Sequence, residues 1–185
     1  MSIDDGAWLV VIDPQAIFAS SDSDWGSPFF EAATPRIREL AHAFGPERTI
    51  VTRWLPTADR TSSWGAYFRA WPFADQPATD PLFALVPEAE GLSARPTLDL
   101  PTFGKYGPEL EAITGAAPRL VLAGVSTDCC VVSTALAAAD AGAWVTIAVD
   151  ACAASTAENG AAALAVMSLY PPQVSLADTA TILGA

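Results

Sequence analysis

Short unbroken runs of apolar residues, each separated from the next by alanine- and leucine-rich segments, limit most strongly what this chain can fold into. Trp8 to Ile12, Thr49 to Thr52, Leu120 to Ala123, Trp144 to Val149 and Val174 to Leu176 read as strands. They lack the polar alternation of a half-exposed strand, so both faces must be covered. Pro35 to Phe44, Asp128 to Ala141 and Ala157 to Leu169 read as helices. Thr34 and Pro35 start the first, with Gly45 and Pro46 stopping it; Gly142 closes the second, and Pro171 and Pro172 stop the third. This alternation predicts a three-layer α/β/α sandwich on a mainly parallel, Rossmann-like sheet. Ligands of such sheets bind beyond the carboxyl ends of the strands.

The 185 residues fit one domain, 1–185, with no repeat and no linker. Arg53 to Pro96 is rich in Trp and Pro and reads as a packed loop over a site, with one short helix near Trp64 to Ala70. Hydrophobic residues make up 51% of the chain, against 16% charged. That excess fills a core easily and predicts a homo-oligomer, a dimer or tetramer, that covers the remainder. Gly, Pro, Asp and Thr interrupt the apolar residues well short of the ~20 that cross a membrane. A net charge of −12 repels nucleic-acid phosphates and anionic membranes, so neither is an expected partner. The start, MSIDDGAWLVVID, has neither a basic region nor a cleavage site, so a cytoplasmic location is expected. Three cysteines, two of them adjacent, make no disulfide framework.

Three polar clusters follow strands or turns. Asp13-Pro14-Gln15 ends the first apolar run, placing Asp13 at the carboxyl edge of the sheet or, equally open, in a capping turn. Phe103-Gly104-Lys105-Tyr106-Gly107-Pro108 sets a lysine between glycines among apolar neighbours; alone it also reads as a surface turn. Leu120 to Cys130 runs strand, tight turn, helix, with Thr127 or Asp128 as the cap. Cys130 then lies in the first helical turn, where free N–H groups and the dipole favour a thiolate and could hold an oxyanion. Adjacent helix positions point about 100° apart, so Cys129 and Cys130 are not expected to face one site together, and geometry alone does not choose between them.

Gly124-Val125-Ser126-Thr127-Asp128-Cys129-Cys130-Val131, then Thr134-Ala135, Ala138, Gly142 and Asp150-Ala151-Cys152-Ala153, resembles the signature of isochorismatase-like cysteine hydrolases. The resemblance covers nearly the whole chain and is weakest from about Trp54 to Pro96. It implies an isochorismatase-type fold in which Cys130, directly before the valine, is the nucleophile. Asp13, in an Asp-x-Gln pattern with Gln15, would be the acid/base, and Lys105 the positive charge that stabilises the thiolate. It also implies a cis peptide at Val125–Ser126 that aims the Ser126 and Cys130 N–H groups at an oxyanion. The chemistry implied is C–N hydrolysis of a small amide or carbamoyl compound through a thioester. The alternatives are isochorismatase-type vinyl-ether hydrolysis, which does not need the thiol, or a non-catalytic or thiol-redox role.

Metal-dependent relatives carry histidines after the second strand. Here Thr52 to Asp59 has none, and His42, the only histidine, lies on a helix, so neither metal nor cofactor is expected. Around the thiol the expected substrate contacts are Gln15, Phe18, Arg53, Trp54, Trp64, Tyr106 and Thr127, with Tyr67, Phe68 and Trp71 as further loop aromatics. Arg53 suits a substrate carboxylate or, equally, a structural ion pair.

Overall fold

The computed structural model describes residues 6–20 and 22–184. Six strands form one sheet: β1 Trp8–Ile12, β2 Thr49–Trp54, β3 Leu98–Leu100, β4 Arg119–Val125, β5 Trp144–Ala153 and β6 Val174–Ala177. Their order is β3-β2-β1-β4-β5-β6, and every pairing is parallel. The helices are α1 Ala16–Ala19, α2 Phe30–Phe44, α3 Ser63–Ala70, α4 Pro108–Thr114, α5 Val132–Asp140, α6 Ala157–Met167 and α7 Thr179–Leu183.

The sheet is covered on both faces, as the unbroken apolar runs require. Leu9 and Val11 of β1 join a core with Ile37, Leu40 and Phe44 of α2 and Ile182 of α7. Trp8, Val10 and Ile12 join a second core with Leu110 of α4, Ala135 of α5 and Ala163 of α6. Every residue of β1 is buried, and each such Val, Leu or Ile contributes about 1.5–3 kcal/mol of apolar burial.

Several boundaries differ from the sequence reading. The first helix begins a turn early, at Phe30, with Pro35 inside it. Phe30 and Ala33 are buried on the same side as Ile37 and Leu40, so packing extends the helix backwards. Pro35 sits in the second turn, where its ring forfeits one hydrogen bond, and the Thr34 hydroxyl donates to the Phe30 carbonyl at 2.9 Å. β2 runs on to Trp54, because the short β3 pairs with its last residues. After β4 the chain first makes a π-turn, Thr127–Val131, in which the Val131 N–H reaches the Ser126 carbonyl at 3.1 Å. Neither Thr127 nor Asp128 caps it with a side chain. Arg53 to Pro96 is mostly irregular, as expected, with α3 capped by Ser62.

Gly124 marks the tightest point between the two central strands. Its φ is +110°, and a Cβ there would lie 2.2 Å from the Ile12 carbonyl oxygen. Only glycine lets β4 close on β1 at this point.

Candidate active site

β1 and β4 are neighbours, but the chain leaves β1 towards β2 and leaves β4 towards β5. Their carboxyl ends therefore open a crevice at the point where strand order reverses. Asp13 follows β1 directly, and Ser126 follows β4.

Asp13 adopts a left-handed conformation, φ 47°, and is fully buried. Thr52 holds it at two points: the Asp13 N–H donates to Thr52 Oγ1 at 3.1 Å, and Thr52 Oγ1 donates to Asp13 Oδ1 at 2.7 Å. Lys105 is equally buried, with Nζ 3.1 Å from Asp13 Oδ2. Nζ donates instead to the Thr102 carbonyl at 2.8 Å, and Oδ2 accepts no well-angled hydrogen bond. The lysine backbone is fixed as well: its N–H donates to Thr134 Oγ1 at 2.9 Å, and that hydroxyl donates to the Cys130 carbonyl at 2.7 Å. One α5 threonine thus ties the lysine turn to the cysteine turn.

Burial pushes the Asp13 carboxyl above its ordinary range; the adjacent Lys105 charge, the Thr52 hydrogen bond and the nearby Cys130 thiol oppose this incompletely. The Cys130 thiol is pushed well up by its hydrogen bond with Cys129, by burial and by the Asp13 charge. This corrects the thiolate expected from position alone. A turn-start dipole is worth about 0.3–1 kcal/mol when exposed, whereas burial beside a carboxylate costs more. Cys129, half-buried, is lowered chiefly by the hydrogen bond from Cys130.

A cavity of about 370 Å³ opens onto the two cysteines, while Asp13 and Lys105 are fully buried and do not line it. Phe18 and Trp54, expected there, line it, and so do Ser126 and Cys130. Cys129 lines it too, contrary to the expectation that only one of the two thiols faces the site. The π-turn widens the backbone helix at this point, leaving Cys130 at the buried floor and Cys129 nearer the mouth.

The other expected contacts lie elsewhere. Gln15 is a buried brace: Nε2 donates to the Trp54 and Phe83 carbonyls at 3.1 and 2.9 Å, and Oε1 accepts from the Trp54 N–H at 2.7 Å. Arg53 forms a bidentate pair with Asp99 at 2.9 and 2.6 Å, directly across from it on β3. Trp64 stands behind the wall, 5.4 Å from Tyr67 and 5.1 Å from Phe103, ring to ring. Tyr106 packs with the opposite core and donates to Glu111 at 2.9 Å. Thr127 is buried away from the cavity wall.

Sequence reasoning missed Trp25, Gly26 and Asp24, which come from a loop with no periodicity. It also missed Ser155 and Thr156, two and three residues beyond the last matched motif. Asp128, read as a cap, accepts from the Ser155 N–H at 2.8 Å and its hydroxyl at 2.5 Å, clamping the loop after β5 to the cavity rim. Phe103, quoted only as part of the lysine motif, and Tyr67, noted only as a loop aromatic, complete the wall.

The peptide joining Val125 and Ser126 is cis. Among the described residues, no group of three or more His, Cys, Asp or Glu side chains is placed to hold a metal ion, and no helix is long and apolar enough to cross a membrane.

A family model described as the isochorismatase domain matches residues 7–181. No curated protein matches. Among solved structures, a cysteine hydrolase from Pseudomonas syringae pv. phaseolicola superposes with a TM-score of 0.77 at 16% identity, over 95% of this chain and 90% of that one. N-carbamoylsarcosine amidase from Thermoplasma acidophilum gives 0.71 at 16% identity, over 97% of each chain. The MAR1 ribonuclease of Caenorhabditis elegans gives 0.66 at 24% identity, over 96% of this chain and 80% of that one. At these identities the superpositions establish the shared fold.

Proposed function

The chain belongs to the isochorismatase family of hydrolases, and from that premise we propose that it is a cysteine hydrolase cleaving the C–N bond of a small amide or carbamoyl compound through a thioester. One observation carries the reading: a fully buried Asp13–Lys105 pair, 3.1 Å apart, sits beside a cysteine on the floor of a cavity at the switch point.

On substrate binding the Cys130 thiol proton passes to Asp13 Oδ2, the oxygen with no hydrogen bond of its own. The sulfur attacks the carbonyl carbon, and the carbonyl electron pair moves onto oxygen, held by the Ser126 and Cys130 N–H groups. The carbonyl re-forms as the C–N bond breaks, and Asp13 returns its proton to the leaving nitrogen. Asp13 then takes a proton from water as that water attacks the thioester. The C–S bond breaks, the acid leaves, and the proton returns to sulfur. Lys105 holds its charge beside both Asp13 and the developing thiolate.

The test is release of ammonia or amine from a panel of small amide, ureido and carbamoyl compounds by wild type and Cys130→Ala. The variant is expected to lose turnover by about 10³-fold or more. Full turnover without the thiol would sink the thioester mechanism. We also propose a homodimer or homotetramer: Val166, Leu169 and Tyr170 around the end of α6 are exposed, Leu169 by 78%. Light scattering that finds only monomer would overturn this.

A further inference from the structure

The cavity wall departs from what an anionic substrate needs. Five aromatic side chains form most of it: Phe18, Trp25, Trp54, Tyr67 and Phe103. Trp25 is their hub, with ring centroids 5.8 Å from Trp54, 5.7 Å from Tyr67 and 6.2 Å from Phe18. Two carboxylates, Asp24 and Asp128, complete the rim, and among the described residues no Arg, Lys or His lines the space.

Three cations from the segments that build the wall and floor, Arg53, Arg60 and Lys105, are committed. Arg53 is held in a bidentate pair by Asp99. Arg60 pairs with Asp75 and lies over the Phe68 ring at 4.2 Å. Lys105 is spent on Asp13 and the Thr102 carbonyl beneath the floor. A substrate carboxylate entering here would find ring faces and two negative charges, on a molecule already carrying −12. An ammonium group would find attraction from both the ring faces and the carboxylates.

We infer that the non-reacting half of the substrate carries a positively charged ammonium group, seated among Trp25, Tyr67 and Phe18 near Asp24. This rests on the reading of the cavity as the hydrolase site, and it narrows the substrate class to small cationic amides. The aromatic faces supply affinity close to the thiol; Asp24, exposed at the mouth, supplies attraction at entry.

Binding is measured first, without catalysis. Cys130→Ala protein is titrated with benzyltrimethylammonium, benzyl alcohol and benzoate at constant ionic strength, following tryptophan fluorescence. The cation is expected to bind about tenfold more tightly than the alcohol, and benzoate most weakly. In Asp24→Asn, on the same background, cation affinity is expected to fall roughly two- to fivefold while that for the alcohol holds. Equal affinity for cation and alcohol, or tighter binding of benzoate, overturns the inference.

Wild-type turnover of amides carrying the same three tails is measured separately. Selective cation binding with no hydrolysis of any amide refutes the catalytic reading and leaves the cation site standing. Hydrolysis that favours the anionic tail refutes the inference alone.

Discussion

Lys105→Met should destabilise the fold in a manner that depends on pH. The substitution roughly keeps the side-chain volume but leaves Asp13 buried without its charge partner, 3.1 Å away in the native protein. Breaking a buried pair from one side costs about 3–5 kcal/mol. In a domain of this size about 1 kcal/mol moves Tm by roughly 2–4 °C, so the loss is roughly 6–20 °C. Asp13 already titrates above its ordinary 3.8, because burial outweighs Lys105 and the hydrogen bonds. Such a carboxyl binds more protons folded than unfolded, so stability falls as pH climbs from 3.8 to the folded pKa. Removing Lys105 takes away a lowering influence, raises the folded pKa further, and stretches that decline to higher pH. The loss should therefore be larger at about pH 8 than at about pH 5. Thermal unfolding by circular dichroism at both pH values reads it directly, and Asp13→Asn/Lys105→Met should recover most of the gap. A loss under about 1 kcal/mol at both pH values, or one larger in acid, would refute the reasoning.

In the free protein, iodoacetamide should modify Cys129 before Cys130, since the first is half-buried and lowered and the second is buried and raised. Peptide mapping of a pH series checks this, and preferential labelling of Cys130 below neutrality would contradict it. Thr52→Val removes both contacts to Asp13 and should cost about 1–3 kcal/mol in urea unfolding, together with most of the activity. Unchanged stability would show that Asp13 finds other partners. Gly124→Ala forces a Cβ to 2.2 Å from the Ile12 carbonyl at a φ of +110°, and soluble, fully stable protein would refute the tight approach of β4 to β1.

The central sheet was legible because its signals are local. An apolar run, a glycine and a polar turn at Leu120 to Asp128 place Ser126 and Cys130 whatever the rest of the chain does. Arg53 was not legible, because its fate depends on β3. A three-residue edge strand, Leu-Asp-Leu, has too little periodicity to be seen, and it supplies the Asp99 that Arg53 pairs across to. Trp25 was hidden for a related reason. It lies in a Ser-Asp-Trp-Gly stretch, and only tertiary contacts with Trp54, Trp71 and Phe73 bring its ring to the cavity. The pairing of Cys129 with Cys130 on one wall followed from a π-turn, which adjacent-residue angles in a regular helix do not describe.

A thiol held well above its ordinary pKa is ill suited to the proposed attack on a carbonyl, yet charge balance resolves the conflict. Solvent-driven ionisation of Cys130 would add a net negative charge to a buried site, at a cost of several kcal/mol. Transfer of the same proton to Asp13 adds none. Before transfer, the buried charges are the Lys105 ammonium and the Asp13 carboxylate; afterwards they are the same ammonium and a thiolate. Burial, which suppresses the first route, leaves the second nearly unopposed. In the proposed mechanism Lys105 therefore acts less by lowering the cysteine pKa than by leaving both protonation states of the buried cluster neutral overall. Its anchorage on the Thr102 carbonyl and, through Thr134, on the Cys130 backbone keeps it within reach of both negative positions.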